Sequence, residues 1–321
     1  MRLMLSRVAD ALFWMSRYLE RAEHVARLLD VCFHLELDLH GVLAGPHELQ
    51  WTSLAAILQQ QMPEQTQAAA SPQAAITHWL TFDLENPGSI MSCVSRARAN
   101  ARSVRGTINS GMWRELNMLH IQLSDPGFSR QAVESPHEYY QAVERGSCLF
   151  QGVCDAPLNH DEGWQFIQLG KHLERAEKTL RILDIQYHLL HDLDSPEDLP
   201  LANLLWGAVL RSCRAYEAYQ RIYVGRIEPE HVVEFLLLHP HFPRSARYCL
   251  QSASDALAAI EGLAPGRKLS EADRELGLVL GELRYRELEQ IMTGDLHEFL
   301  GGLQKQCGLV SRALQRRYSL R

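Results

Sequence analysis

One stretch of this chain occurs twice. Phe13–Asp30 is matched by Ile167–Asp184 at a constant shift of 154 positions, and Leu-Glu-Arg-Ala-Glu is identical in both copies. Arg27 and Asp30 recur as Arg181 and Asp184, and His34 recurs as His188. Self-similarity over so long a period constrains architecture before any single residue is interpreted.

Both copies read as helix. With steps of about 100° per residue, Trp14, Met15, Leu19, Ala22, Val25, Ala26, Leu29 and Cys32 share one arc. Ser16, Glu20, Glu23, His24, Arg27, Asp30 and His34 share the opposite one. Glu20, Arg27 and His34 follow one another at heptad spacing, as do Glu174, Arg181 and His188. Glu23 with Arg27, and Glu177 with Arg181, form i,i+4 pairs in the favourable order. A solvated, charge-paired face accounts for that pattern, and its recurrence equally admits a site or a tight polar interface. Arg21 and Arg175 lie at the margin of the apolar arc, where a guanidinium must snorkel or find an acceptor. They fit either an interhelical ion pair or a fork for a carboxylate or phosphate.

The rest of the chain replays an order. Ser89 and Cys93 are answered by Ser245 and Cys249, Arg114-Glu-Leu116 by Arg274-Glu-Leu276, and His137-Glu138 by His297-Glu298. The first helix is expected from about Ser6 to about His40, a second over Trp51–Gln61, and a polar loop over Met62–Pro72. Ser89 is expected to cap a helix, Gly106 and Gly111 to bracket a break, and Ser124–Gly127 to form a loop. Ser135-Pro136 reads as an N-cap followed by an N1 proline. No strand-type alternation is sustained, so the expected fold is all-α: a helical bundle of two tandem, pseudo-two-fold-related halves, 1–155 and 156–321.

Composition narrows the function. A net charge of −7 gives no general attraction to nucleic acid or anionic membrane, so neither is an expected partner. No apolar run is long enough to span a bilayer, and the charged N-terminus does not read as a signal peptide. Seven cysteines without a Cys-x-x-Cys spacing read as reduced thiols in a cytoplasmic protein. His137-Glu138 and His297-Glu298 lack the second histidine of a zinc-protease helix. Glu20, Glu23 and His24 are wrongly spaced for a di-iron bundle, and Lys178 replaces the histidine in the second copy. No metal and no cofactor is therefore expected. Arg96, Arg98, Arg102 and Arg105 form a basic cluster confined to the first half. It reads as a solvated face or an anion site. Arg244 stands at the matching helix start in the second half, where a helix N-terminus already favours anions.

Leu5–Glu23, Ala97–Arg105, Met112-Trp-Arg-Glu-Leu-Asn117 and Glu234–Ser245 together resemble the alpha-E family, a bacterial all-helical domain named for its Glu-Arg motif. Glu20-Arg21 match that motif and Glu174-Arg175 echo it; His239 stands where the family commonly shows Asp. Family members are encoded beside, or fused to, circularly permuted ATP-grasp proteins and transglutaminase-like proteins. The resemblance thus implies a helical partner of an ATP-grasp ligase in ATP-dependent peptide or amide-bond synthesis, or in protein modification. Two other readings stay open. One is a catalytic domain of the same pathway, with Glu20 or Glu174 as acid-base group and Arg21 or Arg175 holding a carboxylate. The other is a structural bundle that forms homo-oligomers. Arg27, Arg181, His34, His188, Arg98, Arg102 and Arg244 complete the candidate ligand-binding residues.

Overall fold

A computed structural model describes residues 4–40, 54, 57, 58, 63, 72–190, 199–262 and 268–320. The described residues are helical, with no strand among them, and their contacts group into two compact units, Met1–Lys171 and His172–Arg321. The expected helix over Trp51–Gln61 and loop over Met62–Pro72 lie almost wholly outside the described residues.

In the first unit, α1 (Ser6–His40), α3 (Ile90–Ser103), α4 (Ser110–Leu123) and α6 (Pro136–Asp155) form a ring in which each packs on the next. Short helices α2 (Pro72–Thr81) and α5 (Pro126–Glu134) lie against it. The first turns of α7 (Glu162–Leu190) belong to the same unit as far as Lys171. Met15, Ala22, Val25, Ala26 and Leu29 of α1 are wholly buried, as their arc requires. At Gly170, α7 lies directly against α1. A Cβ there would fall on the Phe13 carbonyl and the Ser16 hydroxyl, so only glycine fits.

Helix ends follow from local chemistry. Ser89 caps α3, its hydroxyl accepting from Ser92 N at 3.1 Å. Asn109 caps α4 and also donates to the Val153 carbonyl of α6 at 2.8 Å, tying the two helices together. Three expectations are corrected here. Gly111 lies inside α4 rather than in a break, because Asn109 starts the helix two residues earlier. The expected loop at Ser124–Gly127 turns into helix at Pro126, with Asp125 accepting from Phe128 N at 2.9 Å. Ser135 makes no side-chain cap bond; Pro136 alone provides the helix-start signal of α6.

The second unit contains the remainder of α7, α8 (Leu199–Ser212), α9 (Tyr216–Gln220), α10 (Pro229–Val233) and a π-helical turn at Glu234–Leu238. Then come α11 (Ala246–Glu261), α12 (Glu271–Tyr285), α13 (Leu288–Thr293) and α14 (Leu296–Tyr318). Helix α11 packs on α12, and α12 on α14. Helix α7 reaches α14 through Ser311 and Gln304, and the start of α11 through Thr179, which donates to the Arg244 carbonyl at 2.9 Å. Ser245 caps α11 as Ser89 caps α3, and Cys249 and Cys93 each donate to the carbonyl of the proline two residues before that serine. The helical run ends at His239, because Pro240 cannot continue it.

No helix among the described residues is long and apolar enough to cross a membrane. None of the seven cysteines forms a disulfide; Cys148 is exposed and the other six are buried.

Candidate functional site

The polar arc of α1 faces the interior from Ser16 to Arg27. Glu20 is 3% exposed, Glu23 0% and Arg27 5%, so the reading of a solvated face is corrected. The charge pairing within it holds: Arg27 Nη1 donates to Glu23 Oε1 at 2.9 Å. Helix α6 completes the network. Ser147 Oγ donates to the second Glu23 oxygen at 2.9 Å, and Gln151 donates to Glu20 at 3.4 Å and to Ser147 at 3.2 Å. Buried carboxylates are tolerated on these terms, paired and hydrogen-bonded at once. Beside Glu20 is a cavity of about 10 Å³, lined by Ser16, Gln151, Asp155, Gln168 and Lys171 among others. That is room for a single water and for no substrate. Cys154, on the same cavity, is pushed up to about 12 by burial and then by Asp155, so it is a neutral thiol.

The second unit holds the counterpart glutamates with different partners. Glu174 is wholly buried with Lys178 Nζ at 3.6 Å from it, and Ser311 donates to Glu177 at 3.1 Å. Burial lowers the pKa of Arg181, while Glu177 and Asp184 oppose the shift. Arg175 is buried, whereas Arg21 is partly exposed and lies 5.8 Å over the Tyr18 ring, which Arg96 also covers. Two motif arginines in the same sequence context thus have different surroundings.

The heptad trio is not one site. Glu20 and Arg27 belong to the interior, while His34, one turn beyond Asp30, is half exposed and its Nδ1 lies 2.8 Å from the Asp30 carbonyl. Its counterpart His188 has a side chain outside the described residues. Near His34 the structure brings together residues that sequence reasoning kept apart. His137 Nδ1 lies 2.7 Å from Asp30 Oδ1, and Gln141 and Arg145 extend the chain of bonds. In the second unit His297 Nδ1 lies 2.6 Å from Asp184 Oδ1, with Gln304 on the other carboxylate oxygen at 2.8 Å. The Asp184 bond raises the pKa of His297. The signal was present in the sequence: aspartate and histidine both recur, though in separate stretches.

The basic cluster lies on the surface of the first unit. Arg98 and Arg105 cover the Trp113 ring at 5.6 and 4.8 Å, Arg98 donates to Asn117 at 2.8 Å, and Arg102 is exposed. The two stretches Ala97–Arg105 and Met112–Asn117 therefore meet. Arg244 engages α7 through its backbone carbonyl. His239 takes a definite role: its Nδ1 accepts from His241 N at 3.2 Å and Phe242 N at 3.0 Å.

Each unit also carries an open groove. In the first, about 770 Å³ is lined by Met118, Gln122, Phe128, Glu138, Ala142 and Gly146 among others. In the second, about 550 Å³ is lined by Leu278, Glu282, Phe299, Glu298, Gly302 and Gln306 among others. Met118, Gln122, Glu138, Ala142 and Gly146 each have a counterpart 160 positions on, at Leu278, Glu282, Glu298, Gly302 and Gln306.

These features define a protein that is helical throughout its described residues, with Glu20, Glu174 and Arg175 buried in helix packing and Arg21 partly exposed beside them. The chain belongs to the Alpha-E family, described as a predicted alpha-helical domain with a conserved ER motif, whose model matches residues 4–318. It is 26% identical to the uncharacterized protein Mb2597 of Mycobacterium bovis over 319 residues, covering 92% of this chain and 35% of that protein. It is 25% identical to the uncharacterized protein Rv2567 of Mycobacterium tuberculosis over the same length, with the same coverage. The chain spans about a third of the length of the curated relatives it matches. No solved structure matches it.

Proposed function

We propose that this chain is a duplicated helical unit that serves as a non-catalytic partner module in an ATP-grasp ligase system, where it binds the ligase or its substrate. The observation that carries this reading is the closure of the Glu-Arg region: Glu20 and Glu23 are buried and hydrogen-bonded, and the cavity beside Glu20 is about 10 Å³. An acid-base group must reach the proton it moves, directly or through one water, and no substrate enters so small a space. The carboxylates then hold helices together, and the chemistry belongs to a companion protein or domain. The length of the relatives supports this, since the matched part is only 35% of each. The duplication is supported by the recurring Asp–His pair, serine cap and proline-bonded cysteine in each unit. The companions are a circularly permuted ATP-grasp protein and a transglutaminase-like protein, and the site of action is the cytoplasm.

Co-purification with the circularly permuted ATP-grasp protein, followed by ATP turnover with and without this chain, tests the reading. A stable complex with altered turnover is expected. Absence of a complex together with unchanged turnover overturns it.

A further inference from the structure

We propose that Asp30, His34 and His137 form a surface site for a divalent transition-metal ion of the zinc and cobalt class. One donor atom from each of the three lies within 4.8 Å of the others. Two imidazoles and a carboxylate are a donor set for borderline divalent ions, and three protein donors leave a coordination position open to water. The inference is independent of the partner role proposed above, because none of the three belongs to the buried Glu20–Glu23–Arg27 network.

The local geometry favours an ion. Asp30 and His34 are one turn apart on α1, and so project from the same side of the helix. His34 Nδ1 lies 2.8 Å from the Asp30 carbonyl; as the donor in that bond it leaves its lone pair on Nε2. Such a bond to the far nitrogen is how ligating histidines are usually oriented. His137 arrives from the first turn of α6 with Nδ1 2.7 Å from Asp30 Oδ1, and its ring meets that of His34 edge-on at 5.0 Å between centroids. Two ligands on one zinc stand about 3.3 Å apart, given bonds of roughly 2.0–2.1 Å. The Asp30–His137 contact therefore has to open by about half an ångström, with the ion in place of the proton the two groups share. His34 is 54% exposed and has the freedom to close on the ion.

His34 Nδ1 also lies 3.7 Å from Asp30 Oδ1, so both histidines converge on one carboxylate oxygen. The sequence repeats all three residues as Asp184, His188 and His297, and the second unit repeats the Asp–His contact at 2.6 Å. That recurrence ties the third residue to the other two.

The test uses the full chain after chelator treatment. Cobalt(II) is titrated and followed by visible d–d absorption, zinc uptake is measured by equilibrium dialysis, and melting is recorded with and without zinc. The variants are His34→Ala, His137→Ala and the two combined. The wild-type protein is expected to take up one more equivalent of ion than the double variant, and to gain a zinc-dependent rise in melting temperature that the double variant lacks. His34→Ala alone, which removes only a half-exposed ring, is expected to weaken binding at least about tenfold. It keeps the test decisive if the double variant folds poorly. Equal uptake by wild type and His34→Ala overturns the site. So does a lower metal-free melting temperature for His137→Ala with unchanged metal binding, which marks the contact as an ion pair only.

Discussion

Asp83 and His239 stand at the same point of the two units, four residues before the proline that precedes a capping serine. They do the same job with different atoms. Asp83 Oδ1 accepts from the backbone N of Glu85 at 2.9 Å; His239 Nδ1 accepts from the backbone N of His241 at 3.2 Å. The geometry of the turn is common to both units and the charge is not. The same contrast runs through the motif helices. Glu23 of the first unit is wholly buried between Arg27 and Ser147, while Glu177 of the second is partly exposed with Ser311. The turn geometry is thus what the two units share, and the burial of the motif-helix glutamates is what separates them.

The largest expected difference lies in those two glutamates. Glu23→Ala strips the buried Arg27 guanidinium of its 2.9 Å carboxylate and should cost about 3–5 kcal/mol. Glu177→Ala, at a partly solvated position, should cost about 1–2 kcal/mol by the same urea titration. Equal losses would erase the distinction in burial. Next comes Gly170, at the repeat position of Ser16, where an added Cβ meets the Phe13 carbonyl. Gly170→Ala should lose about 1–3 kcal/mol to overpacking. Gly152→Ala, with nothing within 4 Å of the new atom, should gain up to about 1 kcal/mol from helix propensity. Ser89→Ala should lose about 1 kcal/mol and Ser245→Ala somewhat more, since both give up a 3.1 Å cap bond and Ser245 Oγ also donates to the His239 carbonyl. Thermal melts showing one serine indifferent would break the equivalence of the two turns.

The smallest effect concerns pH. Burial first, and His241 second, lower the pKa of His239 below 6.5, consistent with a ring nitrogen that must stay unprotonated to accept backbone bonds. Its contribution to stability is therefore fully present above about pH 6.5 and is lost as pH falls through the lowered value. Replacing it by its counterpart, His239→Asp, should flatten the stability profile between pH 5 and 7, read from urea midpoints. An unchanged slope would show that the imidazole bond contributes nothing.

Much of the fold was legible because its signals are local. The span of α1, Ser6–His40, agrees with the expected start and end, and Ser89 caps its helix as expected, with its sequence counterpart Ser245 doing the same. Helix α5 was missed because Asp-Pro-Gly reads as a turn, whereas here Asp125 and Pro126 open a helix. The helical wheel identified which residues share a face of α1 but not what covers that face. Solvent and α6 leave the same pattern in the sequence, so Glu20, Glu23 and Arg27 were read as a surface as readily as an interior. The Asp30–His137 contact spans 107 positions, and no periodicity reports on partners so far apart.

The central claim is that the Glu-Arg helix carries a structural network in its polar face. A double-mutant cycle on Glu23 and Arg27 tests it most directly, with Glu23→Ala, Arg27→Ala and the pair compared by urea denaturation. The account predicts that each single change costs about 3–5 kcal/mol and that the double change costs well below their sum, because the second deletion removes a charge whose buried partner has already gone. Single variants that unfold with the wild-type midpoint would contradict it and return these residues to a functional role.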